Sequence, residues 1–392
     1  MKTTQDTFFD IIIVGAGLVG TSLALALCHL PLKIAIIESR PWQEQPDLKK
    51  GRHLALNFAS QQFFSSLDLW PELESFANPI CTVHVSEKNR FGLLRFKAEE
   101  LNLPALGYLI PEPALVHTLE KASQTKANLT WFRPCEVSHV EHHADHATLQ
   151  IKSENSTTSL SARLLIAADG MHSSLREALA ISSTIEPYDQ AALVTQVHVS
   201  HPEAHTAFER FTSIGTLALM PRKDHSYGVI ITANHEQIEA WRALDDDAFL
   251  AQLQNIAGYR LGRLGHLSPR QIYPLSKQIA NEQSKSGVIL LGNAAHTFHP
   301  IAAQGLNLSL QDGMGLSQLI EMHGLNSIDT LCQLYESSRI KEQEKMINMT
   351  DSIVTLFTHP SFFIRQSRHL VLSLMAYTPL KKWMANKACG MS

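Results

Sequence analysis

Charge imbalance, paired cysteines, internal repeats and low-complexity segments are all missing from this 392-residue chain. Lys and Arg number 33 against 37 Asp and Glu, a net charge of −4, so the strongly basic face that nucleic-acid binding demands is not there. Its five cysteines, Cys28, Cys81, Cys135, Cys332 and Cys389, are odd in number, far apart and without a C-x-x-C pair. That spacing argues against a disulfide framework, a zinc site or dithiol chemistry and reads as reduced thiols. One run free of Asp, Glu, Lys and Arg, Ile11 to Leu32, is long enough to cross a bilayer. Gly15, Gly17, Gly20 and Pro31 break it, and Asp6 and Asp10 stand where a signal peptide would be basic. The expectation is a cytoplasmic protein of two to three domains, by the prior of roughly 150 residues each.

What is present begins in that same run. Ile11-Ile12-Ile13-Val14 is a β-branched strand that passes into Gly15-Ala16-Gly17-Leu18-Val19-Gly20 and then into helical Thr21 to Leu27. Strand, glycine turn and helix form the dinucleotide fingerprint: Gly15 makes the turn, Gly17 admits a pyrophosphate, and Gly20 lets helix pack on strand. The free N–H groups and positive dipole end of the helix suit phosphate. A second apolar strand, Lys33 to Ile37, ends in Glu38, some 21 residues after Gly17, where a carboxylate accepts from ribose hydroxyls.

Ser39 to Lys50 reads as a loop, followed by Arg52, which either reaches a phosphate or cofactor edge or is a solvated arginine. Phe63, Phe64, Leu67 and Leu69 have helical spacing, and Cys81 to Leu101 alternates as a hairpin-like insertion. Pro111 to Ala122 restores helical periodicity. Asn128 to Ile166 reads as a β-meander with strands at Leu129–Phe132, Glu136-Val137, Thr148–Ile151 and Arg163–Ile166. Its histidines, His139, His142, His143 and His146, fit a solvated turn better than a metal site. Leu164 to Ala168 ends in Asp169-Gly170, and an acidic residue at the carboxyl end of a strand faces the ligand crevice of an α/β sheet. A plain Asp-Gly turn before a helix is the alternative.

Tyr188 to Ile231, with Phe208-Glu209-Arg210-Phe211 and Leu217 to Pro221 inside it, predicts a separate sheet that covers the nucleotide domain, and Ala248 to Ile256 a short helix. Gly287 to Leu291 is another buried strand, ending in Gly292-Asn293-Ala294-Ala295-His296. Pro300 then leads to Gln304-Gly305-Leu306-Asn307 and a helix marked by Leu308, Leu310, Leu316, Leu319 and Ile320, whose amides suit an anion. The tail from Ser338 is helical, with Met346, Met349, Ile353 and Leu356 on one face. Apolar Phe357 to Met375, interleaved with Arg365 and Arg368 and followed by Lys381 and Lys382, fits packing on the protein, an oligomer interface or a membrane surface.

In this order the motifs resemble the group A flavin aromatic hydroxylases, which share the para-hydroxybenzoate hydroxylase fold, from about Asp10 to about Asp312. Within that group the chain is most similar to the ubiquinone-biosynthesis branch, and to its 2-polyprenyl-6-methoxyphenol hydroxylases, through Thr82-Val83-His84-Val85-Ser86, Ala207-Phe208-Glu209-Arg210-Phe211-Thr212 and Gly292-Asn293-Ala294-Ala295. The resemblance implies an α/β architecture: a Rossmann-like FAD-binding domain of residues 1–80, 104–180 and 273–330, a β-sheet substrate domain of 81–103 and 181–272, and a C-terminal helical segment of 331–392.

It implies that Gly15, Gly17, Gly20 and Glu38 hold the ADP half of FAD, with Arg52 along the flavin and pyrophosphate. Asp169 and Gly170 would contact FAD and serve NAD(P)H use, and Gly292, Asn293 and Ala294 would meet the ribityl chain. Pro300, Gln304, Gly305, Leu306 and Asn307 would surround the isoalloxazine ring. Asn293 replaces the aspartate of the general pattern, which keeps a carbonyl acceptor and gives up the charge. It is the residue typical of the methoxyphenol branch. Ala303 stands where glycine is usual.

The chemistry implied is reduction of FAD by NAD(P)H, addition of O2 at the flavin C4a atom and transfer of one oxygen to a polyprenylated phenol. In the methoxyphenol branch this converts 2-polyprenyl-6-methoxyphenol to 2-polyprenyl-6-methoxy-1,4-benzoquinol. A sister hydroxylase acting at another ring position and a weakly active flavin-binding scaffold of the pathway are the competing readings. Other ubiquinone-biosynthesis proteins are expected partners, and the tail would touch the inner membrane. Phe208, Phe211, Leu217, Leu219 and Met220 could line the prenyl entry. No residue marks itself as a general base; His296 and His299 are candidates for relaying the phenol proton, against loop histidines that bond to backbone.

Overall fold

Residues 7–42, 47–48, 51–88, 93–154, 156–285, 287–358 and 379–391 are described by a computed structural model. The β-branched run becomes β1 (Thr7–Val14), in which Ile11, Ile12 and Ile13 are all fully buried. Consecutive burial means that both faces of the sheet are covered, as parallel sheets require. β1 lies between β2 (Ile34–Ile37) and β11 (Thr157–Ala167), with β8 (Leu129–Phe132) beyond β2 and β19 (Val288–Leu290) beyond β11, all parallel. β18 (Ser284–Lys285) closes the edge antiparallel. On one face Leu23, Ala24 and Leu27 of α1 (Leu18–Leu27) pack with Leu316 and Ile320 of α8 (Gln304–His323) and Tyr335 of α9 (Ile328–Thr358). The other face lies under α5 (Ser174–Ala178) and β10 (Ala147–Lys152), which pairs antiparallel with β9 (Glu136–His142) and β11.

The expected four-stranded meander is therefore corrected: Leu129–Phe132 is a parallel strand of the nucleotide sheet, and only β9, β10 and β11 run antiparallel in succession. Its partner β2 is far away in sequence, across the helical crossover α4 (Glu112–Gln124), so local alternation cannot report it. A small sheet of β3 (His53–Asn57), β7 (Gly107–Pro111) and β4 (Asn78–Ile80) packs beside α2 (Phe58–Ser66) and α3 (Trp70–Glu74).

The second sheet runs β20 (His296–Thr297), β17 (Gln271–Ala280), β12 (Ser183–Val199), β15 (Ser226–Asn234), β14 (Gly215–Pro221), β13 (Thr206–Phe211), β5 (Thr82–Glu87) and β6 (Leu93–Lys97), with β16 (Leu264–Leu267) beside β12. The hairpin insertion joins this sheet through the parallel pairing of β5 with β13. β17 crosses the position expected as a boundary, 272/273, and carries the sheet on to His296.

One face of the sheet buries Leu193, Leu217, Leu219, Val229 and Ile231 under α6 (His235–Ala243) and α7 (Asp246–Ala257). Asn234 and Asp245 cap these helices by accepting from Gln237 and Ala248 N–H, each worth about 1 kcal/mol. On the other face Val194, Ala218, Met220 and Ile230 are only partly buried.

α9 begins at Ile328, earlier than expected, because Leu331, Cys332 and Tyr335 pack on the nucleotide sheet. Its later buried residues are Gln343, Ile347 and Thr350, with Met346 and Met349 partly buried. α10 (Pro379–Ala388) follows, and Lys381 on it pairs with Glu100 at 2.6 Å. The apolar tail segment from Phe362 to Met375, with Arg365 and Arg368, lies outside the described residues. Among the described residues no helix is long and apolar enough to cross a membrane.

Candidate functional site

Three turns meet at the carboxyl ends of β1, β11 and β19, where an α/β sheet presents its ligand crevice. Gly15 has φ +99°, and a Cβ on it would lie 2.3 Å from the Ala168 carbonyl oxygen and 2.7 Å from Asp169 Cα. A Cβ on Gly20 would lie 2.1 Å from the Gly15 oxygen. Gly17 differs: nothing stands within 4 Å of the atom it lacks, so its bareness serves approach from outside rather than internal packing. Gly17 also N-caps α1 with no side-chain bond and no acidic residue in the first turn. The first N–H groups of α1 and its positive dipole end are therefore open to an anion.

Glu38 closes one side of this turn. Its Oε2 accepts from the Ala16 N–H at 2.9 Å, and its Oε1 from the Arg40 N–H and guanidinium at 2.9 and 3.1 Å. Burial opposes its ionisation, but the Arg40 and Ala16 donors hold the carboxyl below the ordinary range. Oε2 keeps a lone pair for a ribose hydroxyl. Arg52 stands elsewhere, with its half-exposed guanidinium bidentate to Glu112 at 2.9 Å.

Asp169 Oδ2 accepts from the Ser174 N–H at 2.7 Å and its hydroxyl at 3.1 Å, while Oδ1 is buried without a partner. Buried Arg176 ties this turn to the late one, donating to the Met171 carbonyl at 2.7 Å and to the Ala294 carbonyl at 3.0 Å. Gly170 and Gly292 both have positive φ, +90° and +64°. A Cβ on Gly292 would touch Val19 of α1 at 3.5 Å, and Asn293 beside it is exposed. An uncapped helix start, open space at Gly17 and an orphaned acceptor at Asp169 fit a ligand that carries phosphates and hydroxyl donors, as FAD does.

The start of α8 forms the next wall. Ala303 caps it at φ +51°, a left-handed conformation that explains why glycine is usual there. Pro300 is exposed, and Gly305 has nothing within 4 Å of an added Cβ. Leu306, partly buried, packs like Leu18 against the cluster around Leu25 and Leu310, and Gln304 donates to the Ala388 carbonyl at 3.4 Å. Asn307 uses its amide fully: Oδ1 accepts from the Asn57 N–H and Ser60 hydroxyl at 2.8 Å each, and Nδ2 donates to the Ala55 and Ala303 carbonyls at 3.0 and 2.7 Å. It binds the loop to β3.

The two histidines sit in separate networks. His296 Nε2 lies 2.7 Å from Asp312 Oδ2, and the same buried carboxylate accepts from Arg339 at 2.6 Å and Gln343 at 2.9 Å. Burial opposes the charge of Asp312, but His296 and Arg339 hold its carboxyl low. His296 Nδ1 is buried without a partner. The Ile301 N–H donates to His299 Nδ1 at 3.2 Å, which leaves Nε2–H to donate to Gln190 at 3.0 Å. Burial, only partly offset by Asp351, pushes His299 down to about 4, so its ring is neutral. Sequence reasoning missed Arg176, Asp312, Arg339 and Gln343; the one available signal was a lone aspartate inside the apolar run of α8.

Residues 9–350 match the FAD-binding domain family. Similar chains include the ubiquinone hydroxylase UbiL of Rhodospirillum rubrum, 27% identical over 99% of this chain and 91% of that one. The 3-demethoxyubiquinol 3-hydroxylase of Escherichia coli is 28% identical over 90% and 88%. Among solved structures, p-nitrophenol 4-monooxygenase from Pseudomonas putida DLL-E4 superposes with a TM-score of 0.79 at 14% identity, covering 99% of both chains. The chain belongs to the FAD-binding domain family, with the α/β flavin-monooxygenase fold and FAD as its cofactor.

Proposed function

We propose that this chain is an FAD-dependent monooxygenase that hydroxylates the ring of a polyprenylated phenol in ubiquinone biosynthesis. The observation that carries the reading is the meeting of three turns around open Gly17, with the buried Asp169 Oδ1 left for a cofactor donor. Similarity to ubiquinone hydroxylases along nearly the whole chain supports the substrate class. The first ring position to test is that of 2-polyprenyl-6-methoxyphenol, favoured by the Gly292-Asn293 pair. Similarity to an enzyme named for 3-demethoxyubiquinol favours a sister position as the second.

Bound FAD, reduced by NAD(P)H, supplies activation of O2 and oxygen transfer. The chain supplies the rest. The α1 N–H groups hold the pyrophosphate, Glu38 and Asp169 accept from hydroxyls, and the Gly305 and Leu306 amides stabilise negative charge on the ring. Arg52 has to leave Glu112 to touch the cofactor. The partly buried face of the second sheet gives an apolar, water-poor surface for the substrate. Of the two histidines, His296 keeps the only unengaged nitrogen and is the better relay. Pathway partners and membrane contact through the tail belong to the same reading, and vesicle co-sedimentation tests the latter. The function is tested by NAD(P)H oxidation with a short-chain prenylated methoxyphenol: a product heavier by one oxygen is expected, and flavin-bound protein that leaves every such phenol unchanged overturns it.

A further inference from the structure

The second sheet carries one carboxylate where its neighbours give every reason for an apolar side chain. Along β13, Phe208 packs on the cluster under α6 and α7, and Arg210 donates to the Ala257 carbonyl of α7 at 2.8 Å. Alternation then puts Ala207, Glu209 and Phe211 on the opposite face. Ala207 there packs with Met220, Val83 and Ala55, and the Ala55 carbonyl takes the Asn307 amide at 3.0 Å. Glu209 thus stands one residue pair along the face that fronts the start of α8. Its row across the sheet is Leu94, Val85, Ala218, Ile230 and Val194, apolar until it reaches Gln271 on β17.

No hydrogen bond or ion pair holds Glu209 among the described residues. It keeps partial solvent contact, as a side chain at the wall of a crevice does. Burial alone pushes the carboxyl up to about 7. Titratable groups on the elements against this face, Glu87 of β5, His53 of β3, Tyr108 of β7, and Cys81 and Cys389, contribute nothing to that shift.

We propose that Glu209, rather than either histidine, is the catalytic base that receives the phenol proton of the substrate. This rests on the hydroxylase reading. The O–H bond of the phenol breaks, its proton passes to a Glu209 oxygen, and the electron pair stays on the phenolate oxygen, which enriches the ring carbons that accept oxygen. No oxidation accompanies the transfer. A base with a pKa near the working pH is the efficient choice, and an apolar row leaves it no competing partner.

The test compares wild-type holoenzyme with Glu209→Gln and Glu209→Asp, with flavin absorbance as the check on folding. With a short-chain prenylated phenol, hydroxylation by the wild-type holoenzyme rises with pH through about 7. The rise is absent in Glu209→Gln and partly restored in Glu209→Asp. Hydroxylation by Glu209→Gln falls by about 10²-fold or more and loses its rise through the same pH. Carbon-13 NMR of glutamate carboxyls shows one high titration in the wild type that Glu209→Gln removes. A Gln variant with wild-type rate and pH profile overturns the assignment and leaves the hydroxylase reading standing. A wild type that gives no product at any pH defeats the hydroxylase reading itself.

Discussion

The nucleotide sheet and the second sheet make their halves of the crevice in opposite ways. The first uses backbone: Gly15 and Gly20 are bare because carbonyls lie 2.3 and 2.1 Å from the missing atoms, and the chemistry is offered by N–H groups. The second uses side chains on a regular pleat, with one face largely buried and the other a half-open surface of mostly small and apolar residues that also carries Glu209. Backbone recognition is generic and tolerates no added atom, whereas side-chain recognition is specific and local. Cofactor binding should therefore fail all at once when the first wall is altered, and substrate handling should fail alone when the second is.

The largest effect is expected from Gly15→Ala. Left-handed backbone and a clash with the Ala168 carbonyl should cost about 4 kcal/mol and abolish flavin binding, read by urea unfolding and by absorbance of the purified protein. A variant that keeps both would break the backbone half of the comparison.

Glu209→Gln probes the other wall through stability. A carboxyl raised from 4.5 to about 7 favours the fold most below its unfolded value. That contribution, discounted to about 1–2 kcal/mol for the solvent contact of the side chain, is lost as pH rises from about 4.5 through about 7. The wild type should thus lose stability between pH 5 and 8 by an amount that the Gln variant does not, while flavin binding stays. Equal slopes in the two proteins would count against a partly desolvated, unpartnered carboxyl.

Gly17→Ala sharpens the first wall further. With no atom within 4 Å, the apoprotein should unfold within about 1 kcal/mol of wild type, yet FAD affinity should fall roughly tenfold or more. Flavin titration by fluorescence checks this; unchanged affinity would move the pyrophosphate away from Gly17. The smallest effect belongs to Arg52→Ala, whose exposed pair with Glu112 is worth less than about 1 kcal/mol. Flavin affinity in that variant decides whether Arg52 leaves Glu112 for the cofactor.

The same contrast explains what the sequence could reveal. Gly15, Gly17, Gly20 and Glu38 were legible because a turn too tight for a Cβ allows only glycine and its spacing is fixed by the βαβ unit. Asp169 and Gly292 were legible in order but not in contact, since Arg176, which ties them, looks like any helical arginine. Asn307 could be named but not its role as a four-bond clamp, two bonds to β3 and one each to Ser60 and Ala303. Glu209 was hidden because a charged residue in an alternating strand reads as solvent-facing, and its apolar row is assembled from five other strands. Leu129–Phe132 was misplaced for the same reason, its partner being distant in the chain.

The most direct measurement supplies FAD, NAD(P)H, isotopically labelled O2 and a short-chain prenylated methoxyphenol to the purified protein and takes the mass of the product. The expected result is a bound flavin spectrum and a phenol heavier by one labelled oxygen. A protein that binds no flavin, or binds it and leaves the methoxyphenol and its sister phenols unlabelled, would contradict the account.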